Sequence, residues 1–265
     1  MDERVRVEVR DHIAYATLSR ADKYNGLDMP MVRSLADTAK RLRADRDLRA
    51  VILSGAGPAF CAGLDFASVA KDQRRFLLSG LKVPGQLNLF QKACWNWREL
   101  PVPVIAVLHG HCYGGGLQLA LAADFRIATP DCQLSIMEGK WGLIPDMTGS
   151  VTLRELLPMD VAKRLTMTAE TFSGQRALEL GLVTEVADDP AKAAEALAAE
   201  LLTRSPDALA ATKKLLHRTW SRAPRWAFWT ETVLQFRLLA GANHKIARKA
   251  GMAGELASYV RRRLN

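Results

Sequence analysis

The apolar segment Val102–Leu108, together with the glycine-rich stretch directly after it, constrains this chain most. Seven residues rich in Val and Ile, none charged, lead straight into His109-Gly110-His111-Cys112-Tyr113-Gly114-Gly115-Gly116-Leu117-Gln118-Leu119. A short apolar run of this kind reads as a buried strand. Three glycines opening a Leu/Ala-rich helical stretch let a ligand approach the backbone where helix N–H groups are unpaired and the dipole is positive. Such a site suits an oxyanion or a phosphate. A second segment repeats the order, with the strand-like Ala50–Leu53 followed by Ser54-Gly55-Ala56-Gly57-Pro58-Ala59-Phe60-Cys61-Ala62-Gly63-Leu64-Asp65. Neither is a Walker A loop, because no Gly-Lys-Ser/Thr is present, and neither has dinucleotide-binding spacing.

The remaining pattern makes the first half of the chain α/β. Ile13–Leu18 and Phe125–Ala128 are further strand candidates. Between the first two strands, Pro30 opens a segment whose apolar residues Val32, Leu35, Ala36, Ala39 and Leu42 recur at three and four, which predicts an amphipathic helix. After about residue 153 the strand signal fades. Asp189-Pro190 starts one helix, Ser205-Pro206-Asp207 supplies a cap, a first-position proline and a first-turn acid for another, and Pro224 begins a third. The aromatics of the third, Trp226, Phe228, Trp229 and Phe236, read as helix-packing core, and Ala242–Ala253 is a fourth helix candidate. Two units are expected: a core over 1–203 and a helical module over 204–265.

Composition limits the class and locates the charge. With 265 residues and 49% apolar content, the chain has material for one sizeable core, which excludes disorder and small disulfide scaffolds. From Lys213 onward, twelve basic residues face two acids, so this last fifth carries +10 and the rest of the chain −1. A nucleic acid, an anionic membrane or a phosphorylated ligand would each exploit that surplus. Arg261-Arg262-Arg263 reads as a solvated tail. Cys61, Cys94, Cys112 and Cys132 form no CxxC pair and there is no secretory or membrane-spanning segment, so reduced thiols and a cytoplasmic location are expected. His109 and His111 belong to no metal-binding pattern, and no metal is expected.

Taken together, the two glycine segments resemble the crotonase (enoyl-CoA hydratase/isomerase) superfamily. Arg20-Ala21-Asp22-Lys23-Tyr24-Asn25-Gly26-Leu27 is similar to that family's early Asn-containing loop, with Ala21 where proline is usual. Ser173-Gly174-Gln175-Arg176-Ala177 through Leu180-Gly181-Leu182-Val183 is similar to its later Ala-x-x-x-Gly-Leu-Val signature. The matches fall in order over about residues 5 to 240. The resemblance implies an α/β fold, a crotonase-like spiral of β-β-α units with a C-terminal helical oligomerisation module. It also implies a thioester oxyanion hole made by the backbone N–H groups of Leu64 and Gly115, and an acyl-CoA substrate handled as an enolate, with no cofactor beyond the coenzyme A of the substrate. Arg20 and Lys23 become candidate phosphate contacts, and Ala62, Asp65 and Gly114 candidate substrate-binding positions. The segment Phe66–Gly85, with Arg74, Arg75 and Phe76, would border the acyl pocket.

The acids carry the choice of reaction. Hydratases of the family place a glutamate three residues after the middle glycine and a second about twenty residues later. Here the first position is Gln118, which can orient a group but cannot exchange a proton as a carboxylate does. The second is kept as Glu138, in Met137-Glu138-Gly139-Lys140-Trp141-Gly142-Leu143-Ile144-Pro145-Asp146. Asp146 stands where the dienoyl-CoA isomerase branch has an aspartate, and is equally a turn residue after Pro145. The catalytic set is therefore Glu138, Asp146 and Gln118, with double-bond isomerisation favoured. Alternatives are a 2-enoyl-CoA hydratase of fatty-acid oxidation, an RNA-binding homologue using the basic module, and a silent scaffold that only binds CoA. Family members form trimers or dimers of trimers through the C-terminal helices, which also cover CoA, and the same is expected here. The basic module then meets CoA phosphates rather than a membrane or nucleic acid.

Overall fold

In a computed structural model, residues 3–71, 78–81 and 85–264 are described. The chain alternates between two sheets. The larger is built from Val5–Arg10 (β1), Ile13–Leu18 (β2), Ala50–Gly55 (β3), Val104–Leu108 (β4), Phe125–Ala128 (β6) and Glu185–Val186 (β9), in the order β1-β2-β3-β4-β6-β9. The smaller holds His111–Tyr113 (β5), Gln133–Ser135 (β7) and Phe172–Ser173 (β8), in the order β5-β7-β8. Because β4, β6 and β9 return to the first sheet and β5, β7 and β8 to the second, the chain winds as a spiral with helices between turns.

Both faces of the large sheet are covered. Val51, Leu53, Val104, Ala106 and Leu108 point into the main core with helices Met29–Ala44, Leu89–Arg98 and Gly115–Leu121, while Ala50, Ile52, Ile105 and Val107 pack against Ala194 and Ala198 of helix Pro190–Leu202. Parallel strands buried on two sides must be apolar throughout, which is why they read as unbroken runs. Strand β1 escapes that pattern. It pairs antiparallel at the edge with β2, from Val5↔Leu18 to Arg10↔Ile13, and its outer positions are Arg and Glu, which protect an edge from further pairing. The two-residue turn Asp11-His12 has φ of 49° and 67°, the double left-handed geometry a tight hairpin needs without the usual glycine signal.

The helices expected from Pro30, Pro190, Pro206, Pro224 and Ala242 all form, at Met29–Ala44, Pro190–Leu202, Pro206–Thr219, Pro224–Leu239 and Ala242–Ala253. Two expectations need correction. Trp226, Phe228, Trp229 and Phe236 are not internal core: they are 53%, 62%, 64% and 68% exposed in the single chain, because helix Pro224–Leu239 carries apolar side chains around its circumference and the neighbouring helices Pro206–Thr219 and Ala242–Ala253 leave these uncovered. The arginine triplet is not a free tail either. Arg262 is 1% exposed and donates to the Asp45 carbonyl at 2.9 Å, while Arg261 pairs with Asp47. The N–H groups of Arg263 and Leu264 both donate to Asp207 Oδ1 at 2.7 Å, and Asn243 Nδ2 donates to Asp207 Oδ2 at 2.7 Å. Asp207, read as a first-turn acid, is thus a buried carboxylate that gathers the C-terminus onto helix Pro206–Thr219.

Candidate active site

The two glycine loops are laced together by their backbones. Phe60 N donates to the His109 carbonyl at 2.9 Å, Cys61 N to that of His111 at 3.0 Å, and Tyr113 N back to that of Cys61 at 3.0 Å. Two glycines make the approach geometrically allowed. Gly63 has φ of 85° and a Cβ there would sit 2.8 Å from the Tyr113 carbonyl oxygen, and a Cβ on Gly116 would sit 2.6 Å from that of Cys61. Asn25, wholly buried and at φ 56°, holds the first loop from outside by donating to the Ala56 and Ala59 carbonyls at 2.9 and 2.8 Å.

This lacing leaves the N–H groups of Leu64 and Gly115 without a hydrogen-bond acceptor among the described residues, on adjacent edges of the two loops. Both residues line a cavity of about 600 Å³, and Ala62 and Gly114 line it beside them. Its walls are mostly apolar, with Phe66, Phe90, Met137, Trp141, Ile144 and Met147 among the lining residues. The rings of Phe66 and Trp141 meet there with centroids 4.7 Å apart. A pair of preorganised N–H donors in a largely apolar cavity is the arrangement that stabilises negative charge developing on an oxygen.

Glu138 and Asp146 both face this cavity. Glu138 sits in the 3-10 turn Met137–Trp141 that comes after β7, and Asp146 in the loop between that turn and helix Gly149–Leu156. Burial pushes the Glu138 carboxyl above its ordinary range against the pull of its own backbone N–H and of Gln118, and the nearby Asp146 charge adds to the rise. Asp146 is more open to solvent, yet the surrounding protein also raises its carboxyl. Gln118, expected beside them, does not line the cavity. It is 2% exposed, behind Glu138, with its Nε2 donating to Glu138 Oε1 at 2.6 Å. Glu138 Oε2 is buried and has no partner among the described residues.

The remaining expected positions divide in two. Arg20 and Asp65 meet at 2.7 Å, and the same guanidinium reaches Asp28 at 3.4 Å and the Gly26 carbonyl at 2.9 Å, so Arg20 braces the early loop instead of presenting a free cation. Desolvation would raise the Asp65 carboxyl, but hydrogen bonds from Ser68 and Arg20 outweigh it and bring it down to about 2. Lys23 is exposed at the end of the short turn Ala21–Lys23. His111 stacks on Tyr113 and His109 contacts the Gly57 carbonyl, both outside the cavity lining. Cys61 is fully buried and its thiol is pushed up to about 12, which keeps it protonated and unreactive. Within Phe66–Gly85, Phe66–Lys71 is helical, and Arg74, Arg75 and Phe76 lie outside the described residues.

Sequence reasoning missed Tyr113, Met147, Trp141 and Asn25 as builders of this site. Only Asn25 left a trace, since asparagine tolerates positive φ. A second cavity, of about 370 Å³, lies between β6 and helix Pro206–Thr219. Arg98 pairs with Glu155 at 2.5 Å, Lys213 with Asp124 at 2.6 Å, Arg126 donates to the Leu182 and Ala123 carbonyls, and neither glycine loop reaches the cavity.

The raised Glu138 carboxyl has a consequence for stability. Below the ordinary value of 4.5 the group is neutral in folded and unfolded chains alike. As pH rises past it the unfolded chain ionises first, so the folded state loses stability until its own carboxyl ionises. Glu138→Gln is expected to melt above wild type at about pH 8, with the difference shrinking toward about pH 4. A melting difference that does not vary with pH would contradict this.

The Enoyl-CoA hydratase/isomerase family model matches residues 8–254 of this chain. The chain is similar to (E)-benzylidenesuccinyl-CoA hydratase of Thauera aromatica, 33% identical over 213 residues that cover 79% of this chain and 80% of the relative. It is also similar to the mitochondrial Delta(3,5)-Delta(2,4)-dienoyl-CoA isomerase of Rattus norvegicus, 31% identical over 245 residues that cover 84% of this chain and 73% of the relative. Among solved structures, an enoyl-CoA hydratase from Mycobacterium tuberculosis H37Rv superposes with a TM-score of 0.87 at 30% identity, covering 98% of this chain and 99% of that one. Matched over nearly its whole length, with relatives in both branches of the chemistry, the chain belongs to the crotonase, or enoyl-CoA hydratase/isomerase, family of acyl-CoA enzymes.

Proposed function

We propose that the protein moves a carbon–carbon double bond within an unsaturated acyl-CoA. The supporting observation is that two carboxyls with raised pKa, Glu138 and Asp146, line the same cavity as the unpaired N–H groups of Leu64 and Gly115, while Gln118 is turned into the protein. One carboxylate removes a proton from the acyl chain, and the electron pair moves into the thioester carbonyl. The two N–H groups hold the resulting enolate oxygen, each contributing about 3 to 4 kcal/mol to the transition state. Return of the electron pair toward a carbon farther along the chain takes a proton from the other carboxyl, leaving the double bond displaced and atoms conserved. A carboxyl with a raised pKa suits both halves, being a stronger base when ionised and keeping its proton to higher pH when it serves as an acid.

Hydration is the second reading, favoured by the similarity to a benzylidenesuccinyl-CoA hydratase and to solved hydratases. It would need Glu138 to manage the water with no second carboxylate at position 118. Purified protein incubated with 2-enoyl-CoA, 3-enoyl-CoA and 3,5-dienoyl-CoA separates the two. Isomerisation predicts absorbance change at constant product mass, with kcat reduced about 100-fold or more in Glu138→Gln. Gain of a water mass from 2-enoyl-CoA would replace it with hydration, and no turnover of any thioester would overturn both.

The same reading gives the C-terminal module its partners. Lys23 and the basic residues of the C-terminal module other than Lys213, Arg261 and Arg262, which Asp124, Asp47 and the Asp45 carbonyl hold, complement the phosphates of CoA in a cytoplasmic enzyme of fatty-acid oxidation, with RNA an alternative only in so far as it carries the same charge. The exposed rings of Trp226, Phe228, Trp229 and Phe236 support association into a trimer or dimer of trimers, since an apolar face of this kind is covered in a stable protein. Light scattering should return three or six times the chain mass, and a single-chain mass would contradict it.

A further inference from the structure

We propose that Gln118 is a positioning residue that locks Glu138 as a proton acceptor and ties the Asp146 loop to the helix presenting Gly115. The orientation of its amide is fixed by its partners. Oε1 accepts from Met147 N at 2.8 Å and from Gly149 N at 2.9 Å, and two N–H donors cannot face an NH2 group. Nε2 must therefore face Glu138, 2.6 Å away, and the Glu138 oxygen it meets must accept. Oε2 is buried and without a partner among the described residues, so the contact with Gln118 commits one carboxylate oxygen and leaves the other without a donor.

The other end of the amide acts on the backbone. Met147 and Gly149 flank Thr148, a non-glycine residue at φ 84° and ψ 0°. Conformations of this kind persist only where neighbouring bonds over-determine them, and Gln118 supplies two such bonds on either side of the strained residue. Asp146 immediately precedes Met147. One side chain on helix Gly115–Leu121 thus sets Glu138, steadies the loop carrying Asp146, and rides on the same short helix as the Gly115 N–H. A glutamate at 118 could accept from the two amides, but once ionised it could not donate to Glu138. Glutamine does both at every pH, which is a physical reason for the amide at this position. The inference rests on reading Glu138 as the proton-handling acid.

The test tracks the Glu138 carboxyl directly, by 13C NMR of protein labelled at the glutamate side-chain carboxyl, with its signal assigned by loss in Glu138→Gln. Other titrating groups around it are Asp146, Lys140 and Tyr113 on the cavity wall and Cys94 on helix Leu89–Arg98, and none of them is substituted in these variants. Gln118→Met removes the donor, so Glu138 should titrate at higher pH, with the rising limb of kcat/KM moving by the same amount and kcat falling about tenfold while KM changes less than about threefold. Gln118→Glu keeps the acceptor for Met147 and Gly149, and the single Glu138 step should become two steps shared by the pair. An unmoved Glu138 midpoint in Gln118→Met, or one unchanged step in Gln118→Glu, overturns the proposal. Shifted titration in a protein that turns over no acyl-CoA leaves the positioning intact and removes the reaction. Turnover with unshifted titration does the reverse.

Discussion

Everything at this site depends on two loops coming into backbone contact with no side chain between them. Gly63 and Gly116 allow it, and the exchange of bonds among Phe60, Cys61, His109, His111 and Tyr113 holds it. Each loop leaves a strand of the same parallel sheet, β3 or β4, and those strands are neighbours in register through Val51↔Val104 to Leu53↔Ala106. The sheet therefore fixes where the loops begin, and the lacing fixes where they meet. The N–H groups of Leu64 and Gly115 stay unpaired among the described residues, while the donors beside them are held elsewhere, Asp65 N on the Leu27 carbonyl and Gly114 N on that of Ser135. Rigid backbone donors need no reorganisation when charge forms, which is what an enolate-stabilising site requires.

The acids are set by a different device. Glu138 lies on the short 3-10 turn Met137–Trp141 and Asp146 on the loop that follows it, before helix Gly149–Leu156. The Gln118 amide reaches both ends of that stretch from a buried helix. Because that helix also starts at Gly115, the unpaired Gly115 N–H and the two acids are tied to one element.

The main strands, the proline-started helices and both glycine loops were legible because local chemistry dictates them. Buried parallel strands must be apolar, prolines start helices, and a close approach requires glycine. What was illegible depended on distant partners. Strand β1 alternates Val with Arg and Glu at a sheet edge and so lacked a continuous apolar signature. Gln118 gave no hint of its partners because they lie 20, 29 and 31 residues away. Arg20 has the chemistry of a phosphate ligand, and only the fold brings Asp65 and Asp28 against it. The arginine triplet has the composition of a solvated tail, yet Asp207, Asp45 and Asp47 close on it, and the aromatics of helix Pro224–Leu239 have the composition of a core, yet the fold leaves them outside.

In the proposed mechanism a thioester carbonyl is held between Leu64 N and Gly115 N. Isotope-edited infrared spectroscopy of a carbonyl-13C acyl-CoA bound to the protein measures this without requiring turnover. Two hydrogen bonds to the oxygen predict a carbonyl stretch shifted to lower frequency than in free thioester, and the same shift in Glu138→Gln, because the donors are backbone. A bound thioester whose carbonyl frequency matches that in water would contradict this placement of the carbonyl.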